Sequence, residues 1–157
     1  MSKQHHYKLN IKWTGNKGSG TTDYAAYERS HDLTIAGKKK IACSSDSPFR
    51  GDISKHNPED FLLASLAACH MLWYLHLCAD EGVVVVDYTD EAEAKMIQTS
   101  NGGGYFTEAI LHPKVVVKEQ AMVKKALDLH KKANSFCFIA NSIKFPVYHK
   151  PTVIVEK

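Results

Sequence analysis

The side chains with most chemical capacity in this 157-residue chain are four cysteines, at 43, 69, 78 and 137, and nine histidines. Thiolates act as nucleophiles or metal ligands, and imidazoles as ligands or proton carriers, so spacing decides between these uses. The chain has no Cys-x2-Cys and no His-x3-His pair. His70 and His76 share one apolar stretch but fall about 240° apart around a helix. A zinc site is therefore not indicated. Asn101 with Gly102, Gly103 and Gly104 lacks the Lys-Ser/Thr of a phosphate loop and reads as a hairpin turn.

The cysteines remain. A single Cys is by default a small buried hydrophobe, so the geometry of a pair has to carry any redox chemistry. Cys69 and Cys78 are nine residues apart, about 900° of helical rotation, which sets them on opposite faces of one helix. A disulfide needs Cα atoms within about 7 Å. Any partner of Cys69 within a subunit therefore comes from another element, and Cys137 and Cys43 both stand as candidates. His70 adjoins Cys69, but consecutive helical side chains point about 100° apart, so it is expected to face other surroundings. A buried thiol is reactive only beside a positive group. The chain has two arginines, Arg29 and Arg50.

Bulk properties exclude other classes. The net charge is +3, from lysines dispersed along the chain except at 38–40, so no basic stripe marks a nucleic-acid groove. Residues 1–8 are polar and lack an apolar signal core, which sets the expected location in the cytoplasm. Free thiols persist there, and structural bridges are rare. Residues 61–79 approach the roughly 20 apolar residues of a membrane span. Ser65, His70 and His76 interrupt them, acids flank both ends, and no basic cluster sets an orientation, so a fully buried core helix is expected.

The elements that must position these groups follow from periodicity. Tyr7, Leu9, Ile11 and Trp13 alternate with polar residues as in a half-buried strand. Shorter strands are expected at 22–29, 33–36 and 40–43, with Gly37 at a hairpin tip. Asn57, Pro58, Glu59 and Asp60 combine an N-cap, a first-position proline and two acids at the positive end of a helix dipole. The helix they open should run to about residue 81, where Gly82 ends it. A long strand is expected at 83–96 and its antiparallel return at 105–117. A second amphipathic helix follows at 119–134, then a helical turn near Cys137 and a closing strand at 144–156, broken at Pro146 and Pro151. The order indicates one α+β domain spanning 1–157.

The Asn57-Pro58-Glu59-Asp60 start, the apolar helix carrying Leu66-Ala67-Ala68-Cys69, and the second cysteine in Ala133-Asn134-Ser135-Phe136-Cys137 together resemble the osmotically inducible protein C and organic hydroperoxide resistance (OsmC/Ohr) family, in its OsmC-like branch. The resemblance extends over nearly the whole chain. It implies antiparallel sheets packed around long central helices in an intertwined homodimer. It also implies a thiol peroxidase that reduces organic hydroperoxides. Cys69 would form a sulfenic acid that Cys137 resolves to a disulfide, and an external dithiol, a lipoylated protein in relatives, would reduce it, with no bound cofactor or metal. By the same resemblance an arginine and the Glu of the helix start, Glu59, organise the thiolate. Arg50 lies near the OsmC-branch position and is preferred to Arg29, whereas the Ohr branch carries its arginine where this chain has Lys17. Glu59 and Cys69 lie about 15 Å apart along one helix and about 80° around it, so Glu59 would reach a thiol only from a second subunit. Plainer readings are Arg50 as a loop cation paired with Asp52, Glu59 as a helix-start acid, and the chain as a non-catalytic stress-linked binding or scaffold protein.

Overall fold

A computed structural model describes residues 3–157 of the chain. The chain divides into two compact units, one up to Phe61 and one from Leu62 to Lys157. In the first, β1 (Asn10–Trp13), β2 (His31–Thr34) and β3 (Ile41–Cys43) form an antiparallel sheet in the order β1-β2-β3. Gly37, at φ +76°, occupies the left-handed region that the β2–β3 turn requires. The stretch 22–29, expected as a strand, is a run of turns. The cause is Arg29, whose guanidinium donates to the carbonyls of Tyr27 (2.6 Å) and Tyr24 (2.8 Å) and curls the backbone around itself.

The helix α1 (Pro58–Asp80) starts where the local chemistry predicts. Asn57 Oδ1 accepts from the Asp60 N–H (2.7 Å), and Asp60 Oδ2 accepts from the Asn57 N–H (3.2 Å), a reciprocal capping box. At the far end Gly82 sits at φ +73°, and the N–H groups of Gly82 and Val83 return to the carbonyls of Ala79 and Cys78 in a Schellman closure. The helix is apolar all round, yet its buried residues form one stripe: Leu66, His70, Tyr74, Leu77 and Cys78. The complete burial expected from its composition is therefore not reached within a single chain, and Leu72 stays 62% exposed.

In the second unit the expected long strand is two, β4 (Val85–Asp90) and β5 (Glu93–Gln98), and so is its return, β6 (Gly104–Leu111) and β7 (Pro113–Val117). Both strands break at one level, where Asp90 pairs with Pro113 and Glu93 with Ile110. Pro113 has no N–H for a ladder, and Asp90 Oδ1 takes the N–H of His112 (2.7 Å), so the ribbon leaves one sheet and enters another there. The closing segment divides the same way between Pro146 and Pro151: β8 (Val147–His149) joins β6, and β9 (Thr152–Val155) joins β7, each in parallel. The sheets are β4-β7-β9 and β5-β6-β8. The second helix, α2 (Val123–Phe136), is entered through a 3-10 turn at Gln120–Met122. Tyr74, Leu77 and Cys78 of α1, Val115 and Val117 of β7, and Ala126, Leu129 and Ala133 of α2 form the core. Burying a side chain of valine or leucine size stabilises by about 1.5–3 kcal/mol.

Candidate active site

Cys69 lies midway along α1, half-buried, one position before the buried stripe. Cys137 closes α2: its ψ of 109° is extended, which stops the helix, while its N–H still donates to the Asn134 carbonyl (3.2 Å). The Cys69 thiol lies close enough to Cys137 to raise that thiol's pKa. Both are free, as are Cys43 and Cys78. Cys43 is sealed in β3 and Cys78 in the core, and burial pushes both of those thiols up in pKa. Of the two partners open to Cys69 from spacing alone, Cys137 is the one that meets it.

The surroundings of the pair are asymmetric. Cys137 is 1% exposed. Burial pushes its pKa up and the Cys69 thiol adds to the rise, against the N–H groups of Ala140 and Ile139, which favour the thiolate. The Ala140 N–H reaches the sulfur at 3.4 Å, where the chain enters a 3-10 turn at Ala140–Ser142. Trp73, one turn beyond Cys69 on α1, stacks on Phe136 (centroids 5.1 Å, 29°) and meets Phe138 edge-on (5.5 Å, 78°). These two phenylalanines flank Cys137 in sequence and are partly open to solvent. A cleft of about 230 Å³ is lined by Leu72, Trp73 and His76. The thiols are thus bordered by an aromatic surface.

The two arginines differ in their commitments. Arg29 is held between Tyr24 and Tyr27, its guanidinium carbon 4.1 and 4.2 Å from the two ring centroids, besides its two carbonyl bonds. Arg50 is exposed and ends the 3-10 turn Ser47–Phe49 at φ 63°. It is the one residue other than glycine with positive φ among those described. Such backbone is costly and favours glycine or asparagine, so an arginine there invites a functional reading. Asp52 does not neutralise it: that carboxylate binds Lys55 (3.0 Å) and Ser54 (2.7 Å). Glu59 stands half-buried in the first turn of α1, and among the described residues no ion pair joins it to Arg50.

One group of residues was missed in the sequence. His70 turns inward, as its angular offset from Cys69 requires, and its Nε2 lies 3.0 Å from Nδ1 of His130 on α2. The His149 ring, from β8, packs over His70 at 4.2 Å, and Tyr74 stacks on His130 at 3.9 Å. His130 could have been noticed, since it lies on the buried stripe of α2 with Ala126, Leu129 and Ala133. His149 gave no signal, because its pairing with the others is purely tertiary. Among the described residues no group of three or more His, Cys, Asp or Glu is placed to hold a metal ion. Here the nitrogens of His70 and His130 bond each other and the rings stack, so their lone pairs do not converge on a common point.

Comparison with known proteins places this geometry in context. The model of a family described as OsmC-like protein matches residues 51–151. The uncharacterized protein YmaD of Bacillus subtilis is 28% identical over 143 residues, covering 89% of this chain and 87% of its own. An OsmC-like protein of unknown function from Vibrio cholerae superposes with a TM-score of 0.84 at 27% identity, over 95% of this chain and 100% of that one. An organic hydroperoxide resistance protein from Elizabethkingia anophelis shares the fold at a TM-score of 0.68 and 20% identity, over 98% of this chain and 100% of that one.

Proposed function

The chain belongs to the OsmC-like protein family, and from that premise we propose that it is a thiol peroxidase reducing organic hydroperoxides to alcohols. The observation that carries this is the approach of Cys69 to Cys137, two thiols remote in sequence and close enough in the fold for Cys69 to raise the pKa of Cys137. The Cys69 thiolate attacks the terminal peroxide oxygen and the O–O bond breaks, giving a sulfenic acid and an alkoxide that takes a proton to become the alcohol. Cys137 then attacks the Cys69 sulfur, water leaves with the sulfenic oxygen, and a disulfide forms. An external dithiol, such as a protein-bound lipoyl group, reduces that disulfide and is itself oxidised. Cys69 is the attacking sulfur because it is the more accessible of the two. The aromatic border of Trp73, Phe136 and Phe138 favours a hydroperoxide with an apolar body.

Arg50 is the cation we assign to the thiolate, with Glu59 orienting it. What supports Arg50 is its strained backbone and the lack of any side-chain hydrogen bond or ion pair among the described residues, against an Arg29 already occupied by two tyrosines. Glu59 would act from the second subunit of a homodimer. The apolar but half-covered α1 supports such a dimer. We assign the protein to the cytoplasm, where a dithiol reductant is at hand.

The test is consumption of cumene hydroperoxide with dihydrolipoamide as reductant, followed by peptide mapping after one equivalent of peroxide. A crosslink between Cys69 and Cys137 is expected. Oxidation chiefly at Cys43 or Cys78 would overturn the pairing, and a protein that consumes no hydroperoxide would be the non-catalytic scaffold instead.

A further inference from the structure

The buried imidazoles join the two helices that carry the thiols. His70 follows Cys69 on α1, and His130 lies two turns before Cys137 on one face of α2. Beside this bond two ring stacks cross from α1 to α2, Trp73 on Phe136 and Tyr74 on His130. Stacked rings tolerate sliding, whereas a buried hydrogen bond has one register, and setting register is the best-attested use of buried polar groups.

We propose that the His70–His130 hydrogen bond, with the His149 ring packed over it, locks the register of α1 against α2 and so positions Cys69 against Cys137, and that it does so only while the three imidazoles are uncharged. This deepens the proposed function, since it concerns the same thiol pair, but its geometry does not depend on a peroxide.

The restriction to the uncharged state follows from counting protons. Two neutral imidazoles sharing one hydrogen bond have two N–H protons: one lies in the bond and the other on an outward nitrogen. The outward nitrogens, His70 Nδ1 and His130 Nε2, are buried without a partner, as is His149 Nε2. A further proton puts N–H groups on both outward nitrogens, adds a charge, and meets no acceptor among the described protein atoms. The groups around the rings give no relief. Tyr74 lies on α1 with its hydroxyl near the Cys78 thiol, Tyr88 lies on β4, and the Asp90 carboxylate acts on Tyr88. Burial, then the His149 ring, hold both His70 and His130 down, to about 3 and about 4 respectively, and His130 also acts on His70. Burial lowers His149 as well.

The test compares the full-length protein with His130→Leu, which fills the space without a hydrogen bond, and His130→Asn, which keeps a polar atom near the Nδ1 position and does not titrate. Each is equilibrated with a dithiothreitol redox buffer at about pH 8, and the Cys69–Cys137 disulfide is quantified by alkylation and mass spectrometry. We expect leucine to lower the effective concentration of the two thiols about tenfold, the size of one net hydrogen bond, and asparagine to restore it to within about threefold. A leucine variant within about twofold of wild type would overturn the lock. To keep the test independent of any loss of fold in the leucine variant, labelled-histidine NMR of the wild type gives a second reading. His70 and His130 should stay neutral to about pH 5 and, on charging, shift the Cys69 and Cys137 amides with the same midpoint. Rings that charge near pH 6.5 with those amides unmoved would overturn it too. A locked pair that ignores hydroperoxide ends the peroxidase reading alone, and an active peroxidase whose thiols ignore His130 ends the lock alone.

Discussion

Cys69 and His70 are consecutive on α1, and each meets its own kind across the crossing with α2, Cys137 in one case and His130 in the other. The sulfur pair is open on one side: Cys69 is half-buried and its aromatic neighbours reach solvent. The imidazole pair is sealed, with His70 and His130 at 1% and 2% exposure and their outward nitrogens unmatched. A hundred degrees of helical rotation separates a site poised to react from one poised to hold. Reactive groups need access and a partner, whereas a buried polar group earns its place through the geometry it fixes.

The largest effect should come from the sulfur side. Cys69→Ser is expected to lower hydroperoxide turnover by about 1000-fold or more, measured as loss of cumene hydroperoxide under a dithiol reductant. Turnover equal to wild type would erase the distinction between the two pairs, because the thiols would then be as inert as the imidazoles.

The imidazole side should be read in stability. A histidine whose folded pKa is depressed binds fewer protons folded than unfolded, so stability is complete above the unfolded value near 6.5 and declines as pH falls toward the folded value. His130, held down to about 4, and His70, held down to about 3, place that decline between about pH 6.5 and about pH 3. The loss should amount to a few kcal/mol, seen as a falling urea midpoint, and His130→Asn should flatten the slope. A midpoint constant across that window would mean that the rings are hydrated and the site is not sealed.

Access on the thiol side can be sharpened through its aromatic border. Phe136→Ala removes the ring stacked on Trp73 and should lower the preference for cumene hydroperoxide over hydrogen peroxide by about tenfold in kcat/KM, with hydrogen peroxide turnover nearly unchanged. Equal losses on both substrates would assign Phe136 to packing instead.

How far the sequence discloses this arrangement depends on the range of the interactions involved. The start and end of α1 were legible because Asn57, Pro58, Asp60 and Gly82 act on their own backbone within a turn. The thiol pair was legible through the family resemblance, with helical rotation excluding Cys78. The stretch 22–29 misled because its contacts are among its own side chains and carbonyls, Arg29 with Tyr24 and Tyr27, which make turns where a strand was expected. The double break at Asp90 and Pro113 depends on two strands changing sheets together, and the His70, His130 and His149 group on three elements converging, so neither leaves a local pattern.

The N-terminal unit repeats the contrast between open and committed groups in its two arginines, and there the expected effects are smallest. Arg29→Ala removes two carbonyl hydrogen bonds and two cation–π contacts, and should destabilise by about 1–2 kcal/mol. Arg50→Gly removes no side-chain hydrogen bond or ion pair among the described residues and relieves a left-handed residue at φ 63°, so it should leave stability unchanged or raise it by about 0.5–1 kcal/mol. If Arg50 serves the thiolate, the same variant loses hydroperoxide turnover while its urea midpoint holds or rises, a separation that a merely structural residue does not produce. Destabilisation by Arg50→Gly equal to that by Arg29→Ala would place both arginines among the committed groups and leave Cys69 without its assigned cation.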